Sequence, residues 1–362
     1  TPFGGTLIIE DGTYLVTSLY LKSNINLYLK KGAKILASTQ RRDYPIHPSY
    51  ANIGLWEGAE VNNFASTLNF VDSENITVYG EGEIDGQAEN GDWYINHRQM
   101  NIAWRGHSIF MVRSSNISII GLYVHNTQAW AIHPYMSSYL NFYNLELKNN
   151  PKMPTTDGID PDCSSNIEIK GCKFSVGDDC IAIKSGTYDL ALKYKKASSD
   201  ILIENNLMAD GHGGVVFGSE SSGGINNITV RRCLFENTDR GLRIKTRRGR
   251  GNIGQIDNII FDDILMKNVL TPFVINSYYN MGPKGGHTEY VWTTKALKVD
   301  EYTPVLGKFH FSNMKCEGVS IAAGVFLGLA EMPIKLVSFE NVSFSYNEDA
   351  EEGIPCMMEH PY

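Results

Sequence analysis

An all-β solenoid, a parallel β-helix, is the fold that this chain of 362 residues predicts. Three observations carry the expectation. A short phrase, in which Asn or another polar residue opens an apolar–polar–apolar alternation, recurs from one end of the chain to the other. A second alternating strand follows nearly every copy. Gly (34 residues) and Asn punctuate the text so densely that long segments of helical period find no room.

The phrase reads NINLYL from residue 24, NITVYG from 75, NISIIG from 116, YLNFYN from 139 and NIEIKG from 166. It returns as DILIEN from 200, NITVRR from 227, NIIFDD from 258, KFHFSN from 308 and KLVSFE from 335. The strands that follow include GEGEIDG, GLYVHN, NLELKN, GCKFSV, RCLFEN and DILMKN. Period-two alternation turns one face of each strand inward and the other outward. Repeats of roughly 20–30 residues are too small to bury a core singly, so they stack on their neighbours. The Leu-x-x-Leu-x-Leu spacing of leucine-rich repeats is absent, and the unit is shorter than a propeller blade. The expectation is one domain over residues 1–362 without a linker. Because the text opens at TPFGGTLIIEDGTYLV already strand-like, an N-terminal segment is expected to precede it.

Four stretches break the rhythm and read as loop insertions: residues 38–58, 88–108, 187–199 and 280–303. The first two carry Trp56, Trp93, Tyr94 and Trp104, aromatics suited to stacking on sugar faces.

Composition excludes several functions. With 32 basic and 40 acidic residues the net charge is −8, so no general field attracts nucleic acid. A local basic patch is expected at RIKTRRGRG, 243–251. No apolar run reaches membrane-spanning length. The six Cys have no metal-ligand spacing; buried free thiols are favoured over one or two disulfides. Cys172 and Cys233 share a phase with Asn206 between them, which fits a core row. The Asn residues opening many coils are expected to form a hydrogen-bonded ladder. The sequons at 75, 116, 227 and 341 recur because the phrase recurs, so they are weak signs of glycosylation. His107, His125 and His133 are read as surface or satisfied histidines.

Stacking gives phase a spatial meaning: equal positions in neighbouring coils lie about 4.8 Å apart. The strands to align are DGIDPD from Asp157, DCIAIK from Asp179, GGVVFG from Gly213 and RGLRIK from Arg240. One inward row then holds Ile159, Ile181, Val215 and Leu242. The next holds Ile183, Phe217 and Ile244, with an Asp of the first coil fitting poorly. Outward rows hold Asp160, Ala182, Val216 and Arg243, then Asp162, Lys184, Gly218 and Lys245. At the strand mouths sit Asp157, Asp178 with Asp179, and His212, provided PKMPT (151–155) is a loop. Three carboxylates, a His, an Arg and a Lys thus share one exposed sheet. Crowded carboxylates split their proton affinities, one staying protonated beside charged partners. Glycosidic hydrolysis uses that arrangement, and the neighbouring cations would hold an anionic sugar. Taken singly, Asp-Asp, Gly-His-Gly and Arg-Ile-Lys are more often turns or solvated strand faces. Asp160 and Asp162 read as turn caps, and Lys184 as either an Asp162 ion pair or a substrate contact.

TTD (155–157), GDD (177–179), GHG (211–213) and RIK (243–245), in that order and one per coil, resemble the four motifs of the polygalacturonase family, glycoside hydrolase family 28. The resemblance implies a right-handed, single-stranded parallel β-helix that cleaves pectin with inversion and needs no metal or cofactor. It implies Asp178 as general acid, Asp157 and Asp179 as activators of water, and His212 as support for the acid. Arg243 and Lys245 would bind the galacturonate carboxylate, helped by Tyr279 rather than Tyr278, with Lys184 beside them. The text is most similar to bacterial exo-acting members, which fits insertions that wall off one end of a groove. Thr155 departs from the family's Asn. The partner implied is an acidic polysaccharide, and the location secreted or periplasmic.

Rival readings are a hydrolase of rhamnogalacturonan or xylogalacturonan, a Ca²⁺-dependent pectate lyase holding its ion on the Asp cluster, and a non-catalytic polysaccharide-binding β-helix. EDTA sensitivity with an unsaturated product would mark the lyase. Reducing-end release would exclude the binder.

Overall fold

The computed structural model describes residues 4–280, 288–351 and 353. The recurrent phrases are strands. Ile25–Leu29, Glu74–Gly80, Ser115–Ile120, Ser138–Tyr143, Ser165–Lys170 and Ser198–Glu204 pair in parallel, each on the next. The strands that follow them, such as Tyr123–His125, Glu146–Lys148 and Lys173–Ser175, stack in a second column. A third column runs through Leu68–Val71, Ile109–Val112 and Ile132–Tyr135 to Asp179–Ile183, Gly213–Gly218, Arg240–Lys245 and Thr271–Asn276. Single bridges at Ile159 and Asp162 keep that column continuous. Parallel strands joined this way wind as a right-handed parallel β-helix, as the sequence predicts.

One continuous core fills the interior. Leu68, Ile109, Ile132, Ile159, Ile181, Val215, Leu242 and Phe273 form one unbroken inward row, each at most 1% exposed. The inward place beside Ile183 in the first motif coil belongs to Pro161, not to an Asp, because Ile159 pairs with Ile181 and Asp162 with Lys184.

The Asn phrase has a backbone cause. Asn24, Asn75, Asn116, Asn227, Asn258, Asn313 and Asn341 all sit at φ between 52° and 65°. Asn tolerates that left-handed region better than other residues with a Cβ. Asn75 donates to Asn24, Asn116 to Asn75, Asn258 to Asn227 and Asn341 to Asn313, at 2.7–3.0 Å. The expected ladder exists, and four of its members are the sequons.

Past residue 225 phrase and follower fuse into strands of 12 residues, Ile225–Glu236, and 13 residues, Gln255–Lys267. The corners at Gly121 and Gly171 pass to Arg232 and Asp263, which hold φ near 52° and 54° while pairing continues. The five described cysteines are free and buried. Asn206 accepts from the Cys172 N–H at 2.8 Å and lies 4.0 Å from Cys233 Sγ, as the shared phase predicts. Cys356 lies outside the described residues, as do positions 281–287 of the fourth insertion.

The expected basic patch at 243–251 is not on the surface. Arg247, Arg248 and Arg250 are at most 4% exposed. Arg248 grips Glu331 through two bonds of 2.6 and 3.0 Å and donates to the carbonyls of Tyr290 and Thr293, fastening the 288–303 segment. No helix among the described residues is long and apolar enough to cross a membrane.

Candidate active site

The third column sets the site. Its outward rows follow the expected register: Ala182 beside Val216 beside Arg243, and Asp162 beside Lys184, with Gly218 beside Lys245. Residues 151–155 form a turn outside the strands, so Asp157 reaches the rung beside Asp179, whose carbonyl accepts from the Gly158 N–H at 3.0 Å. Asp157, Asp178 and Asp179 each present a carboxylate oxygen within 4.8 Å of the other two.

Each carboxylate has a different neighbourhood. His212 Nδ1 lies 3.3 Å from Asp178 Oδ1, and the Thr155 N–H donates to Asp178 Oδ2 at 3.0 Å. Lys245 Nζ donates to Asp179 Oδ2 at 2.7 Å, and Arg243 Nη1 stands 3.5 Å from Oδ1. Burial raises the Asp157 carboxyl, Asp160 and Asp178 raise it further, and it ends well above the carboxylate range. Burial raises Asp178 too, but the His212 hydrogen bond and charge, with Lys245, more than reverse this and hold it below its ordinary value. Asp179 follows the same pattern: burial raises it, and Lys245 and Arg243 bring it below. The Asp178 hydrogen bond raises His212. The three carboxylates therefore differ: Asp157 is the one driven toward its protonated form, while Asp178 and Asp179 are held toward the ionised form.

The face is not exposed, as the sequence reading expects, but roofed. Asp157, Asp179, Arg243 and Lys245 are 4%, 1%, 2% and 8% exposed. The insertions supply the cover. Over the earlier coils, Leu55 packs on Phe110, Val112 and Tyr135, burying outward positions that a plain β-helix would leave wet. Helix Tyr188–Tyr194 in the third insertion clamps the first. Thr187 Oγ1 donates to the Gly58 carbonyl at 2.7 Å, and Lys193 and Tyr194 bind Glu60. Gly58, at φ +73°, lies against Glu220, where a Cβ would come within 2.8 Å of its Cγ. Arg105 ties down the second insertion. It donates to the Gln128 carbonyl and to Thr155 Oγ1 at 2.9 and 2.8 Å while lying over the Trp56 and Tyr94 rings. The Thr that replaces the family's Asn thus serves Asp178 through its backbone and Arg105 through its hydroxyl.

Lys184 pairs with Asp160 at 3.4 Å and Glu220 at 3.7 Å, over the Trp130 ring, and not with Asp162 as expected. Asp162 instead lies 3.7 Å from His133 Nε2. Neither acid caps an exposed turn: both are fully buried, and burial pushes Asp160 up to about 8 and Asp162 to about 7. Tyr279 stands with its ring 5.7 Å from both Arg243 Cζ and Lys245 Nζ. Tyr278 turns away to Arg248 and the Gly328 carbonyl.

Of the four loop aromatics, Trp93 is 1% exposed and wedged between Tyr44 and Phe64, so it cannot stack on a sugar. Trp56 is stacked on Trp104 and Trp130, and Tyr94 donates its hydroxyl to the Thr127 carbonyl. His107 and His133 are buried and hydrogen-bonded to each other at 3.0 Å, and His125 sits between Glu83 and Asp85. The expectation of satisfied histidines holds only in part, since His107 Nδ1, His125 Nε2 and His133 Nε2 are buried without a hydrogen-bond partner among the described residues.

A cavity enclosing about 550 Å³, mouth included, opens over the carboxylate trio, with Arg243, Lys245 and Tyr279 on one wall. Sequence reasoning missed its other lining: Glu57, Arg98, Trp130, Ser219 and Glu220. The traces of them in the text are that Glu57 and Arg98 belong to insertions, that Glu220 follows the third motif, and that Trp130 stands two residues before Ile132, the phase of Asp157 and Asp179. The trio could also share a cation, but Lys245 and His212 already neutralise two of its members.

Comparison with known proteins agrees with this geometry. A probable polygalacturonase of Vitis vinifera is 28% identical over 343 residues, 94% of this chain and 67% of its own length. An endo-polygalacturonase of Pectobacterium carotovorum is 26% identical over 285 residues, 75% of this chain and 66% of its own length. The chain thus spans about two thirds of these curated relatives. The crystal structure of an exopolygalacturonase from Thermotoga maritima superposes with a TM-score of 0.82 at 27% identity, covering 96% of this chain and 81% of that one. The family model for glycosyl hydrolases family 28 matches residues 50–328, across all four motifs, and the chain belongs to that family.

Proposed function

We propose that this chain hydrolyses the α-1,4-galacturonosidic bonds of polygalacturonate, from a chain end, in a secreted or periplasmic setting. The observation that carries the reading is the meeting of three carboxylates, one imidazole and two fixed cations under a roof. Asp178 donates a proton to the leaving oxygen, Asp157 and Asp179 orient and deprotonate water, and His212 steers Asp178. Arg243 and Lys245, with Tyr279 beside them, take the substrate carboxylate. Lys184 acts behind them, holding Glu220 ionised and offsetting part of the burial that raises Asp160.

Substrate binding supplies the missing proton balance. A galacturonate carboxylate draws Lys245 and Arg243 away from Asp179, and the proton favoured on Asp157 passes to Asp178, so that Asp178 has a proton to donate and Asp157, now ionised, can accept one from water. Chain-end action is supported by the cover over the earlier coils, which stops a polymer from lying along the whole face. The exo-acting structural relative supports it as well.

Two stereochemical outcomes differ in what the trio does: attack by water with inversion, or attack by a nucleophilic carboxylate with retention. Inversion remains the reading implied by family membership. Proton NMR of the first product decides: β-anomer is expected, and α-anomer would assign a nucleophile among the three. The hydrolytic reading itself is tested on polygalacturonate in EDTA. Reducing ends should appear without ultraviolet absorbance from an unsaturated product; loss of activity in the chelator with such absorbance would make it a lyase.

A further inference from the structure

Besides the trio, the cavity lining carries two further carboxylates, Glu57 and Glu220, each beside a cation: Arg98 by Glu57, and Lys184 by Glu220. Acidic groups are ill suited to an anionic polymer unless they meet something other than its carboxylates. Sugar hydroxyls are that something: a carboxylate is purely an acceptor, and a hydroxyl is a donor.

We propose that Glu57 and Glu220 accept hydrogen bonds from the ring hydroxyls of the galacturonate seated under the roof, so that the site selects units whose hydroxyls are not esterified. The inference rests on the hydrolytic reading above. Three observations converge on it. Glu220 is 4% exposed, and although burial raises its carboxyl, Lys184 and Arg250 bring it down to about 2, so it is a fixed anionic acceptor. The Glu57 backbone is set by its neighbour Gly58, which packs against the Glu220 side chain and binds Thr187. Arg98 Nη1 stands 3.8 Å from Glu57 Oε1 with its side chain 53% exposed, a loose pairing. Burial and the neighbouring Glu220 raise the Glu57 carboxyl and Arg98 offsets them, so Arg98 can bridge Glu57 Oε1 and an arriving sugar carboxylate while the second Glu57 oxygen meets a hydroxyl. An O-acetyl group would remove the donor, add bulk under the roof and leave a carboxylate unpaired, the situation in which hydrogen-bonding sites discriminate most.

The test compares plain trigalacturonate with mono-O-acetylated trigalacturonate. The wild type should favour the plain trimer by about 10²-fold in kcat/KM, less than a fully buried site achieves because Glu57 is partly wet. Glu57→Ala should shrink that preference to about 3-fold, and Glu57→Gln, which keeps an acceptor oxygen, should preserve most of it. Equal cleavage of both trimers by the wild type, or an unchanged preference in Glu57→Ala, would overturn the proposal. If the wild type releases no reducing ends from either trimer, it is the hydrolytic reading that fails.

Discussion

Most of the cavity lining is built from coils and a smaller part, Glu57 and Arg98, from insertions, and the two parts obey different rules. The coil part places Asp157, Asp179, Arg243 and Lys245 by register, since each stands at a position fixed by strands pairing beneath it. The insertion part places Glu57 and Arg98 through particular contacts: Gly58 on Glu220, Lys193 on Glu60, Arg105 on Thr155. The lesson is a division of labour. The periodic part supplies the chemistry shared with a family, and the aperiodic part supplies the boundary that decides what reaches it.

Asp178→Asn should break the coil part most severely. Loss of a general acid lowers kcat by about 10²–10⁴-fold, and circular dichroism should stay that of a β-helix because Asp178 lies outside the inward rows. An aryl galacturonide, whose leaving group needs no proton, should be spared in this variant and not in Asp157→Asn. The reverse pattern would exchange the two roles.

Lys245→Ala should come next. It removes a substrate cation and leaves Asp179 beside a single, longer contact, so KM for oligogalacturonate should rise by about 10²-fold, the range of a charged hydrogen bond. Breaking a buried pair costs about 3–5 kcal/mol, so the melting midpoint should also fall. An unchanged KM would remove Lys245 from the substrate site.

Gly58→Val sharpens the comparison from the insertion side. The new side chain meets Glu220 Cγ and the Thr187 N at under 3 Å on a backbone at φ +73°. The roof should lift while the carboxylates stay in place, lengthening early products with little loss of total bond cleavage. If total cleavage falls as far as in Asp178→Asn, the two parts are not separable.

The smallest effect belongs to His212→Asn. Its charge holds Asp178 down, so Asp178 in the variant titrates higher and the alkaline limb of kcat/KM, which reports the general acid, moves to higher pH. His212 itself is raised by Asp178. Its pair therefore stabilises the fold fully below the ordinary histidine value of about 6.5 and loses that contribution as pH climbs through the raised value. Thermal melts over that alkaline window should slope for the wild type and flatten for the variant.

This division also explains what the text revealed. The inward row Ile159, Ile181, Val215 and Leu242 and the Asn ladder were legible because stacking forces equal chemistry at equal phase. The four motif positions were legible because each occupies a phase in that lattice. Burial was not legible: Asp160, Asp162 and the Arg247–Arg250 run look like solvated charge in sequence, and become interior only when a distant segment folds over them. Glu57 and Arg98 had no phase to betray them, whereas Trp130, two residues before Ile132, shares the phase of Asp157 and Asp179. Trp93 and Lys184 show the same limit from the other direction. Their types suited a sugar and an Asp162 partner, yet packing gave one to the Tyr44–Phe64 cluster and the other to Asp160 and Glu220.

The claim that insertions turn a family trough into an end-reading cavity meets its most direct test in a time course of products from polygalacturonate, separated by size. Mono- or digalacturonate alone from the earliest sample is the predicted result. A ladder of intermediate lengths at early times would contradict it.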